Sequence, residues 1–275
     1  MPTLHDKATA FRALHVPGRP LVLPNAWDVA SALLVARAGA QAVATTSAGV
    51  AWSLGEPDGG RLDRERGLAA IARITSAVDL PVTADIERGF AEEPDGVYRT
   101  VTGVLEAGAV GINLEDGLRP VAEQVARIAA ARAAADAAGI PLYLNARIDT
   151  HRLPDDGARP AETVRRALAY AAAGADGVFV LSPLDADRLR ALVEAVAVPV
   201  NVLIGPGTPT VAEYAAAGAA RVSAGSSIAE AAYALAERAA RELLTTGTAG
   251  ELAGQLDWAA LNAVLLGAAP VERAV

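Results

Sequence analysis

Two short acidic motifs in the chain have the residue types and the spacing to do chemistry. One is Asp85-Ile86-Glu87, and the other is Glu115-Asp116, which follows an apolar run. If each motif ends a β-strand, side-chain alternation places Asp85 and Glu87 on one face of the sheet, with Glu115 beside them. Three carboxylates that face one small volume repel each other unless a cation or protons neutralise them. Oxygen ligands of this kind favour Mg²⁺ or Mn²⁺.

A zinc site and a set of surface ion pairs are the alternatives to a magnesium site. The chain has no cysteine and only three histidines, which argues against zinc. The acids could instead form solvated ion pairs with Arg88, Arg119 or Arg147. The convergence of two acidic motifs on neighbouring strands favours the magnesium site.

Arg147 lies within the apolar segment 143–149, where a charged side chain needs an anionic partner. One interpretation is a fork that binds a substrate carboxylate. The other is a buried ion pair with Asp149 or Glu115. The residues alone do not decide between the two.

Three loops offer groups that could bind an anion or close over a site. Residues 45–49 carry hydroxyl groups and unencumbered backbone N–H groups. Residues 205–207, Gly-Pro-Gly, could cradle an anion, although this sequence is more often a plain turn. Residues 54–60 could close over the site and bring Asp58 into it, or could be an ordinary surface loop.

Eight short β-branched segments recur along the chain, each followed by a stretch with helical spacing of its apolar residues. They are Leu21–Leu23, Ala42–Thr45, Pro81–Ala84, Val110–Leu114, Pro141–Ala146, Gly177–Leu181, Pro199–Leu203 and Ala220–Ala224. Helical spacing is clear in Ala122–Ala138 and Ala161–Ala173. Eight alternating units predict an α/β protein with a (β/α)₈ barrel, and a doubly wound open sheet is the alternative.

In such a barrel the active site lies at the carboxyl ends of the strands. Polar residues follow the apolar segments at all eight predicted ends, as an active site there requires. They are Asn25 and Asp28; Thr46, Ser47 and Gly49; Asp85 and Glu87; Glu115 and Asp116; Asn145, Arg147 and Asp149; Ser182; Asn201; and Ser223 with Gly225. Beyond the eighth strand, Glu230–Leu244 and Leu252–Leu266 predict helices that cap the barrel or reach a neighbouring subunit.

Composition limits the class of protein. The 275 residues suit one barrel, so we expect a single domain over 1–275, with helices in 230–275 that make oligomer contacts. Hydrophobic residues make up 52% of the chain but aromatic residues only 4%, so Ala, Val, Leu and Ile must build the core. A net charge of −8 argues against a nucleic-acid partner. Without a long apolar run or the layout of a signal peptide, we expect a cytoplasmic protein with no membrane partner.

Six phrases of the sequence resemble the isocitrate lyase and phosphoenolpyruvate mutase superfamily. They are Pro24-Asn25-Ala26-Trp27-Asp28, Thr46-Ser47-Ala48-Gly49-Val50-Ala51, Leu54-Gly55-Glu56-Pro57-Asp58, Ala84-Asp85-Ile86-Glu87-Arg88-Gly89-Phe90, Gly111-Ile112-Asn113-Leu114-Glu115-Asp116 and Asn145-Ala146-Arg147-Ile148-Asp149. The last five, in this order and each at a strand end or its loop, make the resemblance specific. It extends from Leu21 to about Ser227.

This resemblance implies an enzyme that uses Mg²⁺ or Mn²⁺ to make or break C–C or C–P bonds in small 2-oxo or 2-hydroxy acids. Family members pass through a pyruvate-like enolate whose oxygens chelate the metal, which stabilises the charge that develops there. The implied roles are Asp85, Glu87 and Glu115 for the metal, Asp58 and Arg147 for catalysis, and Thr46, Ser47, Ala48, Asp85, Arg147 and Asn201 for substrate binding. A homotetramer with terminal helices swapped between subunits is also implied.

Two departures from the family pattern affect the expected substrate. Glu87 stands where the family often has Asp, so a longer or water-mediated bond to the metal is expected. The lyases carry a loop with Lys, Cys, Gly and His after the fourth-strand acid, and its Cys protonates the departing enolate. Here residues 115–120 run straight into a helix, without that Cys and without the Lys- and Asn-bearing gating loop of the phosphonopyruvate mutases.

The expected function is therefore a Mg²⁺-dependent lyase or decarboxylase that cleaves a C–C bond in a small 2-oxo or 2-hydroxy (di)carboxylic acid through a metal-bound enolate. Decarboxylation makes no demand on a Cys acid, since solvent could protonate the product. Two alternatives stay open. One is a C–P bond enzyme of the phosphonopyruvate hydrolase or phosphoenolpyruvate mutase kind, and the other is an oxo-acid-binding protein without turnover.

Overall fold

The protein folds as a barrel of parallel strands surrounded by helices. The structure, a computed structural model, describes residues 2–154, 157–182 and 184–267. Its strands form one sheet in the order β1-β9-β8-β7-β6-β5-β4-β3-β2. They are β1 (Leu21–Leu23), β2 (Asn25–Ala26), β3 (Val43–Thr45), β4 (Val82–Asp85), β5 (Gly111–Glu115), β6 (Tyr143–Ile148), β7 (Gly177–Val180), β8 (Val200–Leu203) and β9 (Arg221–Ser223).

The nine strands occupy eight positions, because Pro24 divides the first barrel strand into β1 and β2. Proline has no N–H to donate, so it interrupts the ladder of hydrogen bonds. β1 pairs with β9, where Leu21 lies opposite Arg221, and β2 pairs with β3, where Asn25 lies opposite Ala44. The interrupted strand closes the ring, and the predicted (β/α)₈ fold is confirmed over the open-sheet alternative.

Helices connect the strands on the outside of the barrel. They are α1 (Leu4–Ala13), α2 (Val29–Arg37), α3 (Ser47–Ser53), α4 (Arg64–Ala77), α5 (Pro94–Glu106), α6 (Val121–Ala137), α7 (Arg159–Ala172), α8 (Ala186–Ala195), α9 (Val211–Ala216), α10 (Ser227–Thr245) and α11 (Trp258–Leu265). The two segments predicted from helical spacing are α6 and α7, within two residues at each end. In the described part of the chain, no helix combines the length and the apolar character needed to cross a membrane.

Alternation along β5 separates the core from the site. Ile112 and Leu114 are fully buried and pack with helix residues in the largest hydrophobic cluster. Burial of each such side chain stabilises the fold by about 1.5–3 kcal/mol. Asn113 and Glu115 alternate with them and therefore face the interior of the barrel.

An aromatic group fills the amino end of the barrel. The rings of His15 and Tyr143 stack with centroids 3.7 Å apart, and Phe11 meets both rings edge-on. Tyr143 is the first residue of β6, and a Cβ added to Gly111, the first residue of β5, would lie 2.7 Å from Phe11. Burial lowers the pKa of His15 to about 3, so the ring is neutral at pH 7. All of these side chains are buried, which closes this end of the barrel.

The helices after the eighth strand bury little of their surface against the barrel, although α10 touches β2 and α11 packs on α2. α10 has only Ala229 and Ala239 buried among its described residues, and Leu244 is 87% exposed. Val22 on β1 is also exposed, because it points away from Leu21 and Leu23, which pack with Ala8 and Phe11 of α1. The predicted helix over residues 252–266 is wrong in its first part. The helix begins at Trp258, since Gly254 adopts a φ of 85° that interrupts the helical backbone; residues 268–275 lie outside the described residues.

Candidate active site

The carboxyl ends of β4, β5 and β6 bring three of the predicted site residues next to one another. Asp85 ends β4 and pairs in register with Asn113 on β5. Glu115 ends β5 and lies opposite Arg147 on β6, with 2.8 Å between Arg147 Nη1 and Glu115 Oε2. The backbone N–H of Asp85 donates to Thr45 Oγ1 at 2.9 Å, which fixes the end of β4 against β3.

Strand alternation predicted the direction of the Glu87 side chain, but in the structure a turn after β4 sets that direction. β4 ends at Asp85, and Glu87 follows with a φ of 50°. This left-handed conformation costs a non-glycine residue about 1–2 kcal/mol. The backbone N–H of Glu87 donates to Asp85 Oδ1 at 3.0 Å. The turn directs the Glu87 side chain into the protein, where the residue is 3% exposed.

Burial disfavours the charged forms of the carboxylates in this cluster, even though Asp85 accepts a backbone hydrogen bond and Glu115 pairs with Arg147. Neither carboxylate oxygen of Glu87 accepts a hydrogen bond of normal geometry from a described residue, although the backbone N–H of Gly60 lies near enough to lower its pKa. Burial, together with the nearby charges of Asp58 and Asp85, raises the pKa of Glu87 to about 7. Burial also raises the pKa of Glu115 to about 7 and raises that of Asp85, in both cases against the charge of Arg147. A bound cation relieves this kind of strain, since it favours the ionised carboxylates.

Arg147 is held from two sides. Its Nε donates to Asp149 Oδ1 at 2.8 Å, and its Nη1 pairs with Glu115 at the same distance. Of the two interpretations left open by the sequence, the structure contains the ion pair, and with both acids. Burial opposes the charged form of Arg147, but the surrounding acids outweigh it and raise the pKa of the guanidinium.

Asp116, which follows the end of β5, binds a separate set of partners in the barrel wall. Its Oδ1 accepts from the backbone N–H groups of Leu118 and Asp149 at 3.0 and 3.1 Å. Its Oδ2 accepts from Arg166 Nη1 and the Tyr170 hydroxyl, both at 2.8 Å. The sequence indicated that Asp116 lies at a strand end, but not that Arg166 and Tyr170 bind it, because these two belong to an ordinary helical pattern on α7 and carry no motif.

The predicted ligands fit a divalent cation by their chemistry. Within residues 2–154, 157–182 and 184–267, no group of three or more His, Asp or Glu side chains is close enough together to hold an ion as it stands. Mg²⁺ usually keeps several waters and uses one or two protein carboxylates, so it needs no such cage. The buried, unpaired carboxylate of Glu87 is a group that a hydrated cation would satisfy.

The predicted carboxylate-binding residues surround the start of α3. Thr46 precedes the helix, and its Oγ1 lies 3.5 Å from the backbone N of Gly49. Ser47 and Ala48 are the first residues of α3, and both are buried. A Cβ added to Gly49 would come within 2.7 Å of Trp27, so this close packing requires glycine.

Asp58 and Asn201 belong to other elements than the three strands that carry the acidic cluster. Asp58 is exposed, on the loop between α3 and α4, and its charge reaches Asp85 and Glu87. Asn201 is buried on β8 and donates from Nδ2 to Ser223 Oγ at 3.1 Å.

A cavity of about 590 Å³ lies elsewhere, between α7 and α8. Its lining includes Val164, Leu168 and Leu192, and Ser182 is the only polar residue of the predicted strand ends that reaches it within the described residues. The carboxylate cluster, rather than this cavity, therefore marks the candidate active site.

Comparison with known proteins places the chain among enzymes of organic acids. The family described as phosphoenolpyruvate phosphomutase matches residues 11–244. An uncharacterized protein of Mycobacterium tuberculosis (strain H37Rv) is 41% identical over 79% of this chain and 82% of its own length. The 2-methylisocitrate lyase of Escherichia coli K12 is 36% identical over 72% of this chain and 70% of its own length.

A solved structure of phosphonopyruvate hydrolase, in complex with oxalate and Mg²⁺, shares the fold. It superimposes with a TM-score of 0.80 at 26% identity and covers 95% of each chain. Together with the family match over residues 11–244 and the acids at the ends of β4 and β5, these relatives show that the chain belongs to the isocitrate lyase and phosphoenolpyruvate mutase superfamily.

Proposed function

We propose that this protein is a Mg²⁺-dependent lyase or decarboxylase that cleaves a C–C bond in a small 2-oxo or 2-hydroxy (di)carboxylic acid. One observation carries the proposal. Glu87 is buried without a hydrogen-bond partner among the described residues, beside Asp85 at the mouth of the barrel. The likeness to 2-methylisocitrate lyase supports the C–C chemistry, and the Mg²⁺ in the phosphonopyruvate hydrolase complex supports the cofactor.

Asp85, Glu87 and Glu115 would hold Mg²⁺ or Mn²⁺, directly or through water. When bound, the ion stabilises negative charge that develops on a substrate oxygen more strongly than it stabilises the substrate itself. The fold buries acids whose charges repel each other, which destabilises their ionised forms. Binding of the ion would offset this unfavourable free energy.

The substrate would bind between α3 and the acidic cluster. The hydroxyl and backbone groups of Thr46, Ser47 and Ala48 would bind its carboxylate. Asn201 would line the distal side, and Asp58 would approach the reacting group from its loop. Arg147, fixed by Glu115 and Asp149, would present a positive charge without moving.

The missing proton donor favours decarboxylation among the C–C reactions. A positioned acid typically contributes about 10²–10⁴-fold to such a reaction. This chain has no cysteine, and the turn after Glu115 leads directly to α6, which begins at Val121. Solvent can protonate the carbon that loses CO₂, whereas a reverse-aldol lyase gains more from a fixed donor.

A product screen tests the proposal. We would incubate the protein with a panel of 2-oxo and 2-hydroxy acids, including oxaloacetate, malate and 2-methylisocitrate, with Mg²⁺ or with EDTA. We expect Mg²⁺-dependent loss of a C–C bond from at least one acid. Cleavage of 2-methylisocitrate should be absent, or slower than in a Cys-bearing lyase by about 10²–10⁴-fold. Full activity in EDTA would contradict the proposal.

A C–P bond enzyme is the second candidate, because the family match and the phosphonopyruvate hydrolase structure favour it. Release of phosphate from phosphonopyruvate in the same screen would identify it. Tight binding of oxo acids with no product of any kind would instead indicate a binding protein without turnover.

The proposal includes a single domain over residues 1–275, a cytoplasmic location and a homotetramer in which the helices after residue 230 pack on neighbouring subunits. The exposed apolar side chains of α10 and the exposed Val22 on β1 support the subunit contact, since a helix from another copy would cover both.

Truncation tests this subunit contact. Removal of the residues after Gly250 deletes α11, which packs on α2, and should lower solubility or split the assembly in light scattering. Truncation after Gly267 keeps α11 and serves as the control. A soluble assembly of unchanged subunit number after the first truncation would show that these helices do not hold it.

A further inference from the structure

Arg88 carries a guanidinium at the barrel mouth that no described residue holds by a hydrogen bond. Its side chain is 38% exposed, and its Nε, although buried, has no hydrogen-bond partner among the residues that the structure describes. Glu115 is its ion-pair partner, with 3.4 Å between Arg88 Nε and Glu115 Oε1, and the two atoms are not aligned for a hydrogen bond.

Arg147, on the other side of Glu115, differs from Arg88 in this respect. It is only 17% exposed, and its Nε and Nη1 are committed to Asp149 and Glu115 at 2.8 Å. An incoming anion would have to compete with two buried acids for Arg147. It would meet the donors of Arg88 without breaking a hydrogen bond.

The backbone that carries Arg88 is firmly held. The buried guanidinium of Arg127 donates to the carbonyl oxygens of Arg88, Ala91 and Glu92. The Arg88 side chain then runs over the turn after β5, where a Cβ added to Gly117 would lie 2.9 Å from its Nε. The backbone of the segment is therefore fixed while 38% of the Arg88 side chain stays exposed, which is the arrangement of a binding residue.

We propose that Arg88 is a specificity-determining residue that binds the second carboxylate of a dicarboxylate substrate. The inference rests on the proposed function, in which Thr46–Ala48 and the cation site take the first carboxylate and the 2-oxo group. The mouth already holds Asp58, Asp85, Glu87 and Glu115, so a second substrate carboxylate needs a cation whose hydrogen-bond donors are not already committed. An arginine binds a carboxylate through two parallel N–H···O bonds, and Arg88 meets Glu115 only in an ion pair at 3.4 Å, without a hydrogen bond.

Paired ligands test the role of Arg88. Pyruvate and oxaloacetate differ by one distal carboxylate, and so do 2-oxobutyrate and 2-oxoglutarate. We would measure their affinities for the full chain by calorimetry in saturating Mg²⁺. If the product screen shows that oxaloacetate is cleaved, only 2-oxobutyrate and 2-oxoglutarate would be compared, because decarboxylation of oxaloacetate yields pyruvate. The wild-type protein should prefer the dicarboxylate in at least one pair. Arg88→Gln should reduce that preference by about 10- to 100-fold and leave the monocarboxylate affinity unchanged within about threefold.

Two further variants make the result decisive. Arg99→Gln removes an exposed arginine on α5 and should leave the preference unchanged. Arg88→Lys keeps the charge but loses the fork, so it should lose part of the preference even if Arg88→Gln fails to fold. If the wild-type protein binds none of the four acids with Mg²⁺, the proposed function is wrong. If both bind and neither Arg88 variant changes the preference, or the wild type shows none, the role of Arg88 is wrong.

Discussion

Glu115 and Asp116 are neighbours in the chain and both are buried, yet they lie in two regions with opposite electrostatics. Glu115 faces the barrel mouth, where it shares two arginines with other acids and where burial raises its pKa to about 7. Asp116 faces the barrel wall, where it accepts hydrogen bonds from Arg166, Tyr170 and two backbone N–H groups.

The difference separates a group that supports the fold from one that is available for chemistry. A buried carboxylate with all its partners in place specifies one local structure, and removal of a partner is costly. A buried carboxylate crowded by other acids destabilises the fold until a cation binds, so its presence is explained by binding. The wall cluster of Asp116, Arg166 and Tyr170 should therefore govern stability, and the mouth cluster of Asp85, Glu87 and Glu115 should govern activity.

The largest expected effect is on the mouth cluster. Asp85→Ala should abolish Mg²⁺-dependent activity, with a loss in kcat/KM of about 10³-fold or more, because metal stabilisation of charge contributes several kcal/mol. EDTA should have the same effect on the wild-type protein, and Mg²⁺ or Mn²⁺ should restore it. Calorimetric titration with Mg²⁺ and a turnover assay measure both changes.

The matched control is Glu106→Ala, which removes an exposed acid at the end of α5. It should leave Mg²⁺ affinity and turnover unchanged. Wild-type Mg²⁺ affinity in Asp85→Ala would show that the ion binds elsewhere. The assignment of activity to the mouth cluster would then be wrong.

A smaller but still large effect is expected in the wall cluster. Asp116→Asn removes the buried partner of Arg166 and leaves it only the partly exposed Glu162, so it should lower the free energy of unfolding by about 3–5 kcal/mol. Urea unfolding measures this change. Glu162→Gln removes the partly exposed partner of the same arginine and should cost only about 0–1 kcal/mol. Below the unfolding transition, Asp116→Asn should bind Mg²⁺ within about threefold of wild type; full stability with lost Mg²⁺ binding would reverse the assigned roles.

The smallest effect concerns Glu87 in metal-free protein. Its pKa is about 7 in the folded state against an ordinary 4.5, so the unfolded chain ionises first as the pH rises. The folded state loses stability between pH 4.5 and about 7, by about 3 kcal/mol in total. Glu87→Gln lacks this titration, so in EDTA it should match wild type near pH 4.5 and become more stable than wild type by pH 7.5.

Urea unfolding at pH 4.5, 6 and 7.5 would follow this difference, with saturating Mg²⁺ as the comparison. The ion favours the ionised carboxylate and should reduce the advantage of the variant. A stability difference that stayed constant with pH would mean that Glu87 is already satisfied in the folded protein.

Much of the fold could be predicted from the sequence, because alternation and turn residues act locally. Each predicted strand segment overlaps a strand of the sheet, since Gly and Pro mark the entries and β-branched residues fill the strands. The sequence analysis did not predict that Pro24 divides the first barrel strand. A three-residue segment such as Leu21–Leu23 is too short for its pattern to show that the strand continues after the proline. The start of α11 was predicted too early, because the apolar spacing continues through Gly254 and the glycine was not taken as a helix break.

The candidate site was predictable in its residue types but not in its contacts. Asp85, Glu115 and Arg147 lie where strand register places them, so alternation was sufficient. The conformation of Glu87 depends on a positive φ, which its residue type does not predict. The partners of Asp116 come from α7, and such a long-range contact has no signature in either segment.

The aromatic group at the amino end of the barrel has a kinetic consequence. With Phe11, His15 and Tyr143 buried across that end, the proposed substrate and its products would share one entrance at the carboxyl end. A reaction that yields two products must then release them in sequence, the outer one first. The product released last should inhibit competitively against the substrate, since both occupy the innermost position of a blind passage.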